Sequence, residues 1–288
     1  MAHASARPTG PSRLDRLIVT RPAPEASAWV EALRAEGWPA HALPLIDIAG
    51  PESPSDLQTL RHWRAHWADA DALLFVSGAA VSHFFAEGVV APGAPTRTRF
   101  WAPGPGTARL LARALEPLGL GAGRIDAPPA DAAQFDSEHL WPVVAPQLGP
   151  GRRVLIVRGS SPNGNDEADA PAVAGNGRDW LIRQCTAAGA LVEGCVAYAR
   201  RAPVLSAADR ALVDAATGEG SVWLFSSSEA LAPLQALAPA PVWARATALV
   251  THPRIAASAQ QAGFGRVVQT RPALSDVVRA LESGWTRP

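Results

Sequence analysis

The chain contains no lysine; every basic side chain is arginine. Schiff-base and other lysine-amine covalent chemistry is therefore closed to it. Cysteine is nearly as scarce: Cys185 and Cys195 are the only two in 288 residues. Two thiols make no disulfide framework, which points to a reducing, cytoplasmic setting. The formal net charge is zero, so there is no bulk electrostatic pull toward nucleic acid or an anionic membrane. An anionic ligand must be met by local charges. No apolar run approaches the roughly 18 residues that a membrane-spanning helix needs. Residues 1–15 are polar, with no apolar segment, and read as a disordered tail rather than a signal or an anchor. Tyrosine occurs once, at Tyr198.

What the chain does have is an internal echo. Leu17-Ile18-Val19-Thr20-Arg21 precedes a helical stretch around Trp29 that ends at Gly37. Leu155-Ile156-Val157-Arg158-Gly159 precedes one that opens at Arg178-Asp179-Trp180 and ends at Gly189. Phe75-Val76-Ser77-Gly78-Ala79 returns as Phe225-Ser226-Ser227-Ser228-Glu229, Pro105-Gly106-Thr107-Ala108 as Pro253-Arg254-Ile255-Ala256, and Gly119 as Gly263. A repeat this long is no solenoid period. It predicts two similar α/β domains, with a ligand held in the cleft between them.

Apolar runs and helical periodicity predict strands over 17–20, 72–76, 99–102, 153–157, 221–225, 248–251 and 267–269. Extended segments are expected over 41–48 and 191–200. Helices are expected over 25–36, 55–67, 134–144, 178–188, 206–217 and 274–283, and from Ala79, Thr107, Glu229 and Arg254 onward. Strands alternating with helices imply doubly wound parallel sheets, covered on both faces. Residues 160–176 are rich in Ser, Pro, Asn, Gly and Asp without a period, and read as a mobile loop.

Several expected strand ends run straight into helix starts with small or hydroxylated residues: Ser77, Gly106-Thr107, Ser226-Ser227-Ser228 and Thr251-His252-Pro253-Arg254. Such ends line the binding crevice of parallel α/β sheets. Helix N-termini there suit carboxylates or phosphates. Each motif taken singly is an ordinary helix cap; their matched positions in the repeat favour a shared anion-binding cleft. Gly104-Pro105-Gly106 lacks the third glycine of a dinucleotide fingerprint. Ser77 stands outside a G-x-S-x-G elbow, since Phe75 replaces the first glycine. His62 and His66 have metal-ligand spacing on a helix, but no third ligand is near in sequence and a surface helix explains them.

These segments together resemble the uroporphyrinogen-III synthases. The central match runs Leu155-Ile156-Val157-Arg158-Gly159, Gly177-Arg178-Asp179-Trp180-Leu181, Gly189-Ala190 and Tyr198-Ala199-Arg200. Val19-Thr20-Arg21-Pro22, Pro44-Leu45-Ile46, Phe75-Val76-Ser77, Phe225-Ser226-Ser227 and Thr251-His252-Pro253-Arg254-Ile255-Ala256 extend it over roughly 14–285. No single motif is specific; the ordered set is. The resemblance implies a discontinuous first domain (16–42 plus 201–288), a second domain (49–194), and two antiparallel linker strands (43–48 and 195–200).

It implies a monomeric, cofactor-free and metal-free lyase of haem biosynthesis. Such an enzyme closes hydroxymethylbilane, a linear tetrapyrrole with many carboxylates, to uroporphyrinogen III, with loss of water and inversion of ring D. Transient contact with hydroxymethylbilane synthase is compatible with that role; nucleic acid and membrane partners are not expected. Tyr198 matches the tyrosine proposed to assist departure of the hydroxyl. Arg21, Ser77, Gly106, Thr107, Arg158, Arg178, Ser226, Ser227, Ser228, His252, Arg254 and Ile255 match cleft positions that would bind substrate. The chain departs from the family in its insertion over 160–176, and in Gly78-Ala79-Ala80 where many members carry Asn. Two rival readings stand beside this one: a non-catalytic two-domain binding or regulatory relative, and a nucleotide-dependent transferase.

Overall fold

The computed structural model describes residues 12–91, 93, 95–129, 131, 132, 134–161, 177–237 and 241–288. Its elements begin with β1 (Ser12–Arg13), β2 (Arg16–Val19), α1 (Ala23–Ala35), β3 (Ala40–Ala42), β4 (Asp47–Ala49) and α2 (Pro54–His66). Next come β5 (Ala72–Phe75), α3 (Gly78–Phe84), β6 (Arg99–Trp101), α4 (Pro105–Leu115), β7 (Ile125–Asp126), α5 (Ser137–Val144), β8 (Arg153–Ser160), α6 (Gly177–Ala187) and β9 (Leu191–Arg201). The chain finishes with α7 (Ala207–Ala215), β10 (Ser221–Phe225), α8 (Leu231–Leu237), β11 (Thr247–Val250), α9 (Pro253–Gln261), β12 (Arg266–Gln269), α10 (Leu274–Gly284) and β13 (Trp285–Thr286). Contacts divide it into two compact units, Met1–Asp47 with Arg201–Pro288, and Ile48–Arg200.

The first unit holds a five-stranded parallel sheet in the order β3-β2-β10-β11-β12. The chain steps from β2 outward to β3, then returns to the other side of β2 and continues through β10 to β12. The reversal falls between β2 and β10, and crevices at such reversals are where open α/β sheets bind ligands. Both sheet faces are apolar. Leu17, Val19, Val222, Leu224 and Leu249 pack with Val30 and Leu33 of α1 and with Val277 and Leu281 of α10. A second aromatic group joins Trp223, Phe225, Trp243 and Phe264, with ring centroids 5.2 to 6.5 Å apart. The Trp223 indole is fully buried and donates its N–H to the Ala216 carbonyl at 2.8 Å, which spares it an unpaired buried donor.

The second unit carries the order β4-β9-β8-β5-β6-β7, with the ladders from β9 to β7 all parallel. Here the reversal lies between β5 and β8. One face buries Phe75, Leu155 and Val157 against Trp63 of α2, Val81 and Phe84 of α3, and Leu111 and Leu115 of α4. The other buries Leu74, Trp101, Val154 and Ile156 against Leu140 and Val144 of α5 and Leu181 and Cys185 of α6. The echoed glycines have one physical cause. Gly37 and Gly189 (φ +82° and +85°), like Gly119 and Gly263 (φ +69° and +94°), stand just past helical segments in the left-handed region that only glycine enters cheaply.

The structure corrects several expectations. Order begins before residue 16: Ser12–Arg13 pairs with Trp285–Thr286, and Leu14 is fully buried with its N–H on the Thr286 carbonyl. The extended stretch over 41–48 is two short strands, β3 and β4, in different sheets. Pro44 lies between them, and its missing N–H disfavours an unbroken ladder. The helix expected from Gln134 starts at Ser137, where the Asp136 carboxylate accepts the His139 N–H at 2.9 Å. The helix expected from Glu229 opens with a tight 3-10 turn over Ser228–Ala230. From residue 162 on, the loop expected over 160–176 lies outside the described residues.

Candidate active site

In the second unit the reversal between β5 and β8 brings three distant segments together. β5 ends at Phe75, and Ser77 caps α3, its Oγ accepting the Ala80 N–H at 3.2 Å. The same Oγ lies 3.1 Å from the Tyr198 hydroxyl. Tyr198 comes from β9, across β8. The β8–β9 ladder runs one for one through Val157–Cys195 and Arg158–Val196, then pairs Gly159 with Tyr198 and passes over Ala197. That extra residue is a β-bulge, a device that re-aims side chains.

The phenol has a second partner. Arg200 donates from Nη2 to the Tyr198 oxygen at 3.3 Å, and its guanidinium carbon sits 5.8 Å from the ring centroid. The His83 ring lies 5.8 Å from the same ring. Burial, and then the Arg64 charge, holds the His83 imidazole below its usual range, toward the neutral form. Tyr198 itself is only 1% exposed. The phenol oxygen is thus held between a hydroxyl and a guanidinium, beside an imidazole biased toward its neutral form. Cys195 is no nucleophile: burial pushes its thiol up to about 12.

The first unit repeats the strand-end arrangement with different content. Beyond β2, the buried Thr20 donates its hydroxyl to the Leu224 carbonyl of β10 at 2.8 Å, which fixes the reversal. Arg21 is committed locally: Nη1 pairs with Glu25 at 2.9 Å and the guanidinium stacks on Trp29, 4.1 Å from its centroid. Beyond β10, Ser226, Ser227 and Ser228 are half-buried, and the Ser227 Oγ accepts the Glu229 N–H at 3.3 Å. Beyond β11, the exposed His252 caps α9, its Nδ1 accepting the Arg254 N–H at 3.1 Å, and the Arg254 side chain is exposed.

A profile of the family described as uroporphyrinogen-III synthase HemD matches residues 27–279. The chain belongs to the uroporphyrinogen-III synthase family. It is thereby an enzyme of haem biosynthesis that acts on a tetrapyrrole. A mutant uroporphyrinogen III synthase from the extremely thermophilic bacterium Thermus thermophilus shares 16% identity and a TM-score of 0.51, over 93% of this chain and 98% of that one. The uroporphyrinogen-III synthetase of Helicobacter pylori 26695 shares 14% and 0.51, over 94% and 99%. At this identity the likeness bears on the fold, a mixed α/β architecture with parallel sheets. No curated protein sequence matches the chain.

Of the residues that the family resemblance pointed to, the structure brings Ser77 and Tyr198 into direct contact. Arg158 stands on β8, at the bulge. Gly106 and Thr107 occupy the first turn of α4, and Arg178 the first turn of α6. The Ile255 side chain is buried, 4% exposed, which leaves its backbone to meet a ligand. His62 and His66 stack at 4.6 Å on an exposed face, with the His66 Nδ1 on the His62 carbonyl oxygen at 2.9 Å. Among the described residues no group of three or more His, Cys, Asp or Glu is placed to hold a metal, and no helix is long and apolar enough to cross a membrane.

Sequence reasoning did not single out Arg200, Gly159 or His83. Arg200 was open to it, since positions two apart on a strand share a face. The other two meet Tyr198 only through a bulge and a helix that spacing does not reveal.

Proposed function

We propose that this chain is a cofactor-independent lyase that converts hydroxymethylbilane to uroporphyrinogen III, with loss of water and inversion of ring D. The observation that carries this reading is the Ser77–Tyr198–Arg200 cluster at the reversal of the second sheet, in a chain whose family match spans both units. Tyr198 is the acid. Its phenolic proton goes to the hydroxyl of the linear tetrapyrrole, and the C–O bond breaks with water leaving. The azafulvene carbon left behind bonds to the substituted α-carbon of ring D to give a spiro intermediate. The bond from that carbon to the methylene shared with ring C breaks and re-forms at the free α-carbon of ring D, and the proton lost there returns to the Tyr198 phenolate. Geometry, more than any further catalytic group, selects that closure.

The substrate carries carboxylates on every ring. In this proposal strand-end residues hold them: Arg21, Ser226, Ser227, Ser228, His252, Arg254 and the Ile255 backbone in the first unit, and Ser77, Gly106, Thr107, Arg158 and Arg178 in the second. Helix N-termini and arginines match carboxylates in charge and geometry. The segments 43–48 and 195–200 serve as the linker. The enzyme works as a cytoplasmic monomer.

The burial of Tyr198 favours a second reading, in which it braces β9 against α3 and transfers no proton. Turnover by chelator-treated, desalted protein tests the first reading. Formation of uroporphyrinogen III from hydroxymethylbilane at an undiminished rate supports cofactor independence. Activity that returns only on adding back a metal or small molecule contradicts it.

A further inference from the structure

Tyr198 is on the wrong face of its strand by ordinary alternation. Cys195 and Ala197 of β9 point to the face covered by α3, together with Val157 of β8. In a regular strand Tyr198 would point the other way. It nevertheless joins Cys195 and Ala197 in that same buried cluster, with Ala80, Val81 and Phe84 of α3. The change of phase coincides with the bulge, where the ladder passes over Ala197 and sets Gly159 opposite Tyr198.

Gly159 makes that placement sterically available. A Cβ built on it would fall into the Tyr198 ring, with Cδ2 at 2.9 Å and Cε2 and Cζ closer still. The ring lies against bare backbone where every other residue type would raise it. The backbone at Gly159 is not left-handed, so space and not chain conformation requires glycine here. At the far end of the ring, the Ser77 hydroxyl at 3.1 Å and the Arg200 guanidinium at 3.3 Å meet the phenol oxygen.

We propose that Gly159 and the bulge at Ala197 form a positioning device for Tyr198: the bulge turns the ring onto the α3 face and the bare glycine lets it lie flat, bringing the hydroxyl to Ser77. Gly159 acts through Tyr198 and touches no substrate. The inference rests on the reading of Tyr198 as the acid only for its effect on rate; the placement itself is independent of it.

The single tyrosine makes a direct test practical. Protein labelled with [13Cζ]tyrosine gives one side-chain carbon signal, that of Tyr198. Gly159→Ala is expected to move this signal and to lower kcat about 100-fold, the order expected for a 1 Å misplacement, with KM changed by less than about threefold. In a Tyr198→Phe background the same substitution is expected to cost less than about twofold more, the non-additivity of residues acting as one. Ser77→Ala, which removes only the contact at the end of the ring, is expected to move the signal as well.

A Gly159→Ala signal at the wild-type position, or an equal loss of kcat in both backgrounds, overturns the proposal. If Gly159→Ala does not fold, Ser77→Ala decides: an unmoved signal there overturns the placement, and a moved one supports it. If the wild-type protein forms no uroporphyrinogen III, the functional reading fails, and the tyrosine signal in the same variants still decides the placement.

Discussion

The Ser77 Oγ and the Tyr198 hydroxyl lie 3.1 Å apart, although 121 residues separate them in the chain. The contact joins a helix cap to a strand end across β8, and so ties the single tyrosine to a serine-bearing strand end. Its value to catalysis is testable by removing one oxygen. Tyr198→Phe is expected to lower the rate of cyclisation by about 100-fold or more, the scale of a lost general acid, while the thermal midpoint shifts by only a few degrees. Wild-type turnover in this variant contradicts the proton-donor role.

Two histidines predict a loss of stability in mild acid. Burial, then Arg64, lowers the His83 pKa below 6.5; burial, then Arg34 and Arg16, does the same at His41. The unfolded chain takes up these protons first. Native stability therefore falls as pH drops below about 6.5, and continues to fall until the folded imidazoles protonate too. Urea midpoints at pH 7.5 and 5.5 measure this. The double variant His41→Asn/His83→Gln is expected to lose less between those two pH values than wild type.

Asp71 predicts a second loss at lower pH. Burial pushes its carboxyl up, but the Arg153 backbone N–H and the Arg152 guanidinium together hold it below 3.8. Its backbone also binds Arg153 and Arg99, tying the starts of β5, β8 and β6. A depressed carboxylate stabilises the fold above its unfolded value, and that contribution is lost as pH falls through its folded value. Asp71→Asn is expected to lower the thermal midpoint at pH 7 by a few degrees and to flatten its decline between pH 5 and 3. A parallel decline in both proteins contradicts this.

The thiols should be inert in the native state. Cys185 and Cys195 are 1% and 0% exposed, and burial pushes them up to about 11 and about 12. Thiolate is the reactive form. At pH 8 a disulfide reagent is expected to titrate neither cysteine until denaturant is added, and then both.

Much of the fold is legible in the sequence because its cause is local. The paired glycines mark helix ends that need positive φ, and the apolar runs mark strands buried on both faces. The division of 41–48 into β3 and β4 is signalled by Pro44. What stays hidden depends on distant partners. Nothing at Ala197 announces a bulge, so the face of Tyr198 does not follow from alternation. Arg21 reads as a ligand-binding strand end, and its contacts with Glu25 and Trp29 form only once α1 is in place. That the Ile255 side chain is buried depends on how deeply α9 packs, which the sequence does not state.

The deciding property is which isomer leaves the enzyme. Hydroxymethylbilane would be generated in situ, the protein added, the products oxidised, and uroporphyrins I and III separated by chromatography. Spontaneous closure keeps ring D in its original sense and gives isomer I. Wild-type protein is expected to give predominantly isomer III. Isomer I alone, from protein shown to be folded, would contradict it.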